Sequence, residues 1–410
     1  MNGPEYLLDS ASAGAQGEPG AFMLTDELLA RVALLAPQIA QAAGAIDAER
    51  RFPPELIDAF HNAQLFRILI PRRYGGLQAH PLAFMRTLEE LAKLDASAAW
   101  IVGQNSVCAI VSAYLAPEVA RPVFGDPRSV LAWGPQTGPA RIQACDGGYR
   151  VTGKWSFASG MRQATWLGCQ ATVHESDGSP RLDAQGRHVK RVMLIPASVA
   201  KVEDIWDVIG LRGTASDAYS VENLFVADGY TVNRESPAEN REPGWIYAFS
   251  IHTLFSCGFA CVALGVARAM LDAFMDLAGH KTPRGAPSIL RDSAVTRSDV
   301  AQAHARIEAA RAYLMQSVQD ICAQVEHTRE VSLDQRMRIR LASTHAIREA
   351  RNAGAFAYEA AGASAIFANN PFERRFRDLH AIAQQLQARK SHFETVGGYL
   401  LGAEVDTQFA

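Results

Sequence analysis

A chain of 410 residues, 48% of them hydrophobic, has the material for two or three packed units around a sizeable core. Its 40 Lys and Arg stand against 43 Asp and Glu, a net charge of −3, with no long basic run, which excludes an electrostatic grip on nucleic acid or on an acidic membrane. The six cysteines fit no zinc spacing, so no metal site is expected, and the thiols read as buried groups of a cytoplasmic protein.

Residues 1–20 lack the basic and apolar segments of a signal peptide and, rich in Gly, Ala, Ser and Pro, read as a loose tail. From 21 to 126 the pattern is helical. Thr25 is placed to cap a helix whose Leu28, Val32, Leu35 and Ile39 share one face. Pro53 and Pro54 suit the start of the next. The stretch 70–76, with Pro71, Gly75 and Gly76, is a breaker, and Phe84, Leu88 and Leu91 form a further stripe. Asp95 then caps a helix running to about Leu115. That helix is apolar or small on nearly every face, yet it carries Gln104, Asn105 and Ser106; buried amides need partners, either neighbouring backbone or a ligand.

From 127 to 238 the period changes to two. Arg141–Cys145 meets 149–152 across Asp146, Gly147 and Gly148, a hairpin signal. Further strands fit 165–173, 191–195 and 219–226. From 239 to 410 the chain is helical again. The apolar stretch 251–270 contains His252, Ser256 and Arg268 and suits a buried bundle helix better than a membrane span. Val300, Ile307, Leu314 and Ile321 repeat every seven residues, with Ala303, Ala310 and Ser317 between them, the seam of an antiparallel bundle. Pro287 and Pro371 mark breaks, and four helices of roughly equal length fit the space. No glycine-rich phosphate loop of the Rossmann or P-loop kind is present.

Four stretches carry a resemblance: Ile70-Pro-Arg-Arg-Tyr-Gly-Gly76, Gly153-Lys-Trp-Ser-Phe-Ala-Ser-Gly160, Gly210-Leu-Arg-Gly-Thr214 and Arg374-Arg-Phe-Arg-Asp378. In this order the chain resembles the acyl-CoA dehydrogenase superfamily from about residue 23 onward. The stretch 155–160 is closest to the oxygenase branch, which includes two-component aromatic and indole-type hydroxylases, dibenzothiophene monooxygenase and amino-sugar N-oxygenases. The resemblance implies an α+β, mostly α fold: an N-terminal helical domain, a central β-barrel domain and a C-terminal four-helix bundle, usually tetrameric, with flavin where the barrel meets the bundle. It also implies diffusible reduced FMN or FAD from a separate NAD(P)H:flavin reductase, and hydroxylation of a small aromatic substrate by O2 through a C4a-hydroperoxyflavin.

Carried over residue by residue, the position of the dehydrogenase base, nine residues after Arg377, holds Leu386, which cannot take a proton. A base elsewhere in the bundle keeps an acyl thioester dehydrogenase as one alternative; an N- or S-oxygenase of the same fold is the other. Eight residues after Arg377, where many oxygenases place a histidine, stands Gln385, preceded by Gln384. An amide can donate a hydrogen bond but cannot shuttle a proton as imidazole does, so His380 or His392 is expected to share that work unless glutamine suffices.

Ser159 is expected at the flavin N5 edge, with Ser156 as the competing choice. Ala158 belongs to the same flavin-lining segment. Trp155 and Phe157 either wall the flavin or pack the core. Trp133, Trp100, Gln104 and Asn105 are expected around the pocket. Arg212 reads as a positioning residue that could reach the flavin phosphate, for which Arg297 and Arg306 are alternatives. Arg377 and Asp378 read as a buried ion-pair anchor.

Overall fold

The computed structural model describes residues 19–184, 186–234 and 236–407. The N-terminal helices are α1 (Pro19–Glu49), α2 (Pro54–Asn62), α3 (Pro81–Leu94), α4 (Ala96–Cys108) and α5 (Pro117–Phe124). α1 buries Leu28, Val32, Leu35, Ile39 and Ile46 at helical spacing. It begins six residues before Thr25, so Thr25 lies inside the helix and does not cap it. Pro19, whose missing N–H costs nothing in a first turn, starts it instead. Most of the expected tail, residues 1–18, lies outside the described residues; Pro19 and Gly20 are already helical. At α4 the Asp95 carboxylate accepts from Ala98 N at 2.9 Å, and every α4 residue except Gln104 is buried.

The middle of the chain forms one eight-stranded mixed sheet around its own apolar core. The strands are β1 (Leu131–Ala132), β2 (Arg141–Cys145), β3 (Gly148–Trp155), β4 (Trp166–His174), β5 (Lys190–Pro196), β6 (Lys201–Glu203), β7 (Ala218–Ala227) and β8 (Thr231–Val232). Their order is β6-β7-β3-β2-β4-β5-β8, with β1 parallel to β4. The expected hairpin joins β2 to β3 with Cys145 opposite Gly148, so the turn is Asp146-Gly147, and Gly147 takes φ +72°. Three strands escaped the sequence pattern because two or three residues carry no period.

The bundle consists of α6 (Ile251–Ala278), α7 (Ala294–Thr328), α8 (Leu333–Ala361), α9 (Pro371–Ile382) and α10 (Ser391–Leu400). The expected seam is present: Ile307, Leu314, Ile321, Ala303, Ala310 and Ser317 are buried, and Val300 is half-buried at the open end. Four equal helices are not. The fourth is broken after Ile382, and residues 383–390 link α9 to α10 through a short 3-10 turn at Leu386–Ala388. Three helices among the described residues are long and apolar enough to cross a membrane: Leu24–Glu49, Ala96–Ala113 and Ile251–Ala278. The last packs between α8 and α3, with 89% of its most apolar window inside the protein, which is why it is apolar on every face. One continuous core joins the N-terminal helices to the bundle, and the sheet keeps a second core of its own.

Candidate active site

The turn that leaves β3 is held by two different parts of the chain. Asn105 on α4 donates from Nδ2 to the carbonyls of Leu131 (3.1 Å) and Ser159 (3.2 Å), tying β1 to the turn. Trp100, one helical turn earlier, donates from Nε1 to Ser159 Oγ at 3.0 Å. On the other side Gly160 N donates to Thr214 O (2.9 Å) and Ala158 N to Asp217 O (3.2 Å). Two of the motifs singled out in the sequence, 153–160 and 210–214, are thus one structural unit. Gly160 has φ +75°, and a methyl group there would run into Asn105 Oδ1. Phe157 also takes a positive φ, +60°, unusual for a bulky residue, and its ring is left 56% exposed, edge-on to Trp206.

The third motif anchors this unit to the bundle. Asp378 on α9 is buried and accepts from Leu211 N at 2.6 Å. Arg377 does not pair with it, contrary to the ion pair expected from their adjacency. Arg377 reaches instead to Asp47, Glu373 and the Ile209 carbonyl, since adjacent helical side chains point in different directions. Burial, then the neighbouring Asp95, pushes the Asp378 carboxyl up to about 7, while the Leu211 N–H and Arg374 pull the other way. The folded state therefore holds a proton that the unfolded chain releases near its ordinary value. That contribution to stability is complete below pH about 4 and is lost as pH rises through about 7. Asp378→Asn keeps an acceptor for Leu211 without the charge. In thermal melts the advantage of the variant over wild type is expected to grow between pH 5 and pH 8, by on the order of 2 kcal/mol. Equal melting shifts at both pH values would show the carboxylate to be ionised in the fold.

The break between α9 and α10 puts Gln385 off the helix. Its Oε1 accepts from Gln387 N at 2.9 Å, capping the 3-10 turn, and its Nε2 is buried without a partner. Gln384 is exposed. His380 lies on α9 with its ring 4.2 Å from that of Phe376, and burial, then Arg351, lowers its pKa. His392 starts α10 and meets the Leu386 carbonyl through Nε2 at 2.8 Å. None of the hydrogen bonds at Ser159 goes to these residues.

Sequence reasoning missed a row of polar groups where the sheet meets the bundle. Arg234, just past β8, lies 4.9 Å from the centre of the Trp133 ring and donates to Gln170 Oε1. Arg340 on α8 is 2% exposed and donates to Gln387 Oε1. His252 in the first turn of α6 is pushed down to about 3, by burial first and then by Arg234 and Arg340, so it is neutral at physiological pH. No local pattern announces such residues, because their partners come from four distant segments.

The remaining candidates divide. Gln104 donates to the Trp133 carbonyl at 3.3 Å, which brings both to this junction. Trp100 stacks on Phe259 of α6 at 3.8 Å and 5°. The Trp155 ring, by contrast, is fully buried in the sheet core, stacked on Tyr219 and bonded to the Gln170 carbonyl, so it packs rather than walls a cleft. Ser156 turns away to Thr137 (2.8 Å). Arg212 spends its guanidinium on the carbonyls of Asp47 and Val208 and on Asp207, as a positioning residue does. Arg297 likewise holds the carbonyls of Arg291 and Asp292, and Arg306 is exposed on α7.

A flavin ring needs an apolar wall and donors or acceptors along its polar edge. The turn offers Phe157 and Trp206, the Ser159 hydroxyl, and buried amide atoms without partners at Asn105 Oδ1 and Gln163 Nε2; on the bundle, Gln385 Nε2 is a further buried donor without a partner. These residues fit such a ring.

Comparison with known proteins decides the family. Residues 29–120 match the acyl-CoA dehydrogenase N-terminal domain and residues 257–389 its C-terminal domain. The chain is 30% identical to a pigment production hydroxylase of Rhodococcus erythropolis over 369 residues, 87% of this chain and 92% of the relative. This chain belongs to the acyl-CoA dehydrogenase family. Within it the chain stands with the oxygenase components. A relative from Rhizobium sp. (strain MTP-10005), 27% identical over 93% of this chain and 96% of its own length, is named FADH(2)-dependent resorcinol hydroxylase, oxygenase component. The crystal structure of 3-HSA hydroxylase from Rhodococcus sp. RHA1 superposes with a TM-score of 0.84 at 25% identity, covering 94% of this chain and 99% of that one. Members of the acyl-CoA dehydrogenase family thus include hydroxylases with the fold described here.

Proposed function

We propose that this chain takes a reduced flavin, FMN or FAD, from a separate NAD(P)H:flavin reductase and uses O2 to hydroxylate a small aromatic or heteroaromatic substrate. One observation carries the reading. The α9–α10 link, where one large subgroup of the family's dehydrogenases places its carboxylate base, presents Gln384, Gln385, Leu386 and Gln387, and the Gln385 amide is left with a buried donor. The names of the relatives support the substrate class, since they include a resorcinol hydroxylase.

When bound, the reduced flavin supplies the electrons and the reaction with dioxygen. The protein supplies position and dryness. Ser159 and Gln385 address the polar edge of the ring, Phe157 and Ala158 its face, and Trp133, Trp100, Gln104 and Asn105 the substrate side. The stacked pair Trp100 and Phe259 excludes water there. His380 is the nearest imidazole in sequence for proton transfer, and Gln385 provides a hydrogen bond only. A homotetramer in the cytoplasm completes the reading; exposed apolar side chains at the two opposite ends of α8, Ile366 and Phe367 at one and Leu400 and Leu401 at the other, suit burial against other copies.

The test is turnover with a generic flavin reductase, NADH and a panel of phenols, indoles, amines, thioethers and acyl thioesters under ¹⁸O₂. The expected product is a phenol or indole derivative carrying one labelled oxygen. Label on nitrogen or sulfur would move the chain to the alternative oxygenase class. Tightly held yellow FAD with thioester oxidation would overturn the reading. A companion expectation concerns Gln385→Leu. Loss of its donor should weaken reduced-flavin binding roughly tenfold, beside a loss of stability of about 1 kcal/mol from the missing cap on Gln387 N. Unchanged binding would remove Gln385 from the site.

A further inference from the structure

We propose that a chain of three buried hydroxyls, Thr214, Ser216 and Ser159, turns the Ser159 proton inward and so makes this site prefer reduced over oxidised flavin. The inference rests on the reading above that Ser159 faces the N5 edge of the ring. The four links are short and fixed. Thr214 Oγ1 lies 2.8 Å from the Leu211 carbonyl. Ser216 Oγ lies 2.7 Å from Thr214 Oγ1, and Ser159 Oγ 2.7 Å from Ser216 Oγ. Trp100 Nε1 lies 3.0 Å from Ser159 Oγ.

Donor counting sets the direction. A carbonyl only accepts, so across the 2.8 Å contact the proton is the one on Thr214 Oγ1, beside the weaker donors Trp206 Nε1 (3.0 Å) and Thr214 N (3.1 Å) on the same Leu211 oxygen. The proton between Thr214 and Ser216 must then come from Ser216, and the one between Ser216 and Ser159 from Ser159. An indole N–H only donates, so Trp100 takes one lone pair of Ser159. What remains at Ser159 is a single lone pair and no proton. All three hydroxyl residues are 4% exposed or less, so water has little access to reorient the chain.

A group that meets this oxygen must therefore donate. Reduced isoalloxazine carries N–H at N5; the oxidised ring presents a lone pair there. The reduced ring completes the chain, and the oxidised ring either faces an unsatisfied contact or forces all three hydroxyls to reverse at the loss of the Thr214–Leu211 bond. Either route favours the reduced form by roughly tenfold. An oxygenase component fed by a diffusible cofactor gains from this, because it loads the form that reacts and releases the spent one. Thr214 and Ser216 act here as positioning residues.

The experiment is a pair of equilibrium titrations with FMN and with FAD, reduced under anaerobiosis and oxidised in air, read by flavin fluorescence and ring absorbance. Thr214→Val and Ser216→Ala each free the Ser159 proton. Both are expected to tighten oxidised flavin and to cut the reduced-to-oxidised preference about tenfold, while Thr214→Ser keeps the wild-type preference. Circular dichroism melts confirm that each variant is folded. Ser159→Ala separates the two claims. If it leaves both affinities unchanged, Ser159 does not meet the ring and the site reading falls. If it weakens reduced flavin while Thr214→Val and Ser216→Ala leave the preference at the wild-type value, the hydroxyl chain is overturned and the site reading stands.

Discussion

Gly134→Ala is expected to weaken reduced-flavin binding by about 100-fold while the helical bundle stays folded. β1 runs out through Trp133 and Gly134 directly beneath the turn that carries Ser159. A Cβ on Gly134 would fall on the Ser156 carbonyl oxygen, far inside contact distance, and 3.0 Å from Ala158 N. Both obstacles are backbone, so no side chain can swing aside. The two segments must separate, which breaks the bond from Ser156 N to Pro135 O (3.2 Å) and displaces Ala158 and Ser159. Overpacking of this kind costs about 1–3 kcal/mol in stability. The cost to binding is of the same size, because the displaced Ala158 and Ser159 lose their contacts with the ring, and about 100-fold in affinity corresponds to about 2.7 kcal/mol. Gly138→Ala is the control, since a methyl group there meets only Lys154 Cβ at an ordinary 3.6 Å. Anaerobic titration with reduced flavin, beside far-ultraviolet circular dichroism, reads both. Wild-type binding by a folded Gly134→Ala protein would show that the 156–159 turn does not hold the ring.

The same unit shows what the sequence can and cannot display. Periodicity exposed the helices and the longer strands, because burial of one face repeats locally. It put α4 in the interior from its composition alone, and the structure explains its odd amides: Asn105 bonds two carbonyls from other segments and Gln104 a third. It failed at the fourth bundle helix. Nothing in residues 371–400 forbids a continuous helix, and the break after Ile382 is imposed by tertiary contacts such as Arg340 on Gln387 and His392 on the Leu386 carbonyl. Because of that break, the five residues from His380 to Gln385 do not follow one helical rise. Ser216 and Asp217 lie two and three residues past a motif that was recognised, so the clue was present; they were missed because Ser159 lies 57 residues away from Ser216. Arg234 and Arg340 had no clue at all, since a buried charge is legible only with its surroundings, and His252 showed only as a polar residue in an apolar helix.

Arg67 belongs to the same class, and it leads to the largest stability effect expected in the molecule. It is 2% exposed, yet no carboxylate pairs with it in any ion pair among the described residues; it is held by carbonyl oxygens. Nε donates to Gly75 O (3.0 Å), Nη1 to Asp126 O (2.8 Å), and Nη2 to Phe124 O (2.7 Å) and to Tyr74 O. The planar fork thus closes the breaker loop at 72–76 onto the end of α5, and burial lowers the guanidinium pKa while the Asp126 charge opposes it. Arg67→Met fills the space but takes the donor from the buried carbonyls of Tyr74 and Phe124 and from the part-buried carbonyls of Gly75 and Asp126, the last of which keeps Ser129 N. The expected loss is about 3–5 kcal/mol, read as a lowered urea midpoint at unchanged slope. Arg67→Lys should recover less than half of it, because one ammonium cannot reach four acceptors arranged for a fork. A loss below about 1 kcal/mol for Arg67→Met would mean that water enters to satisfy the carbonyls, and that the loop at 72–76 is held by Gly76 packing on Ile70 rather than by the arginine.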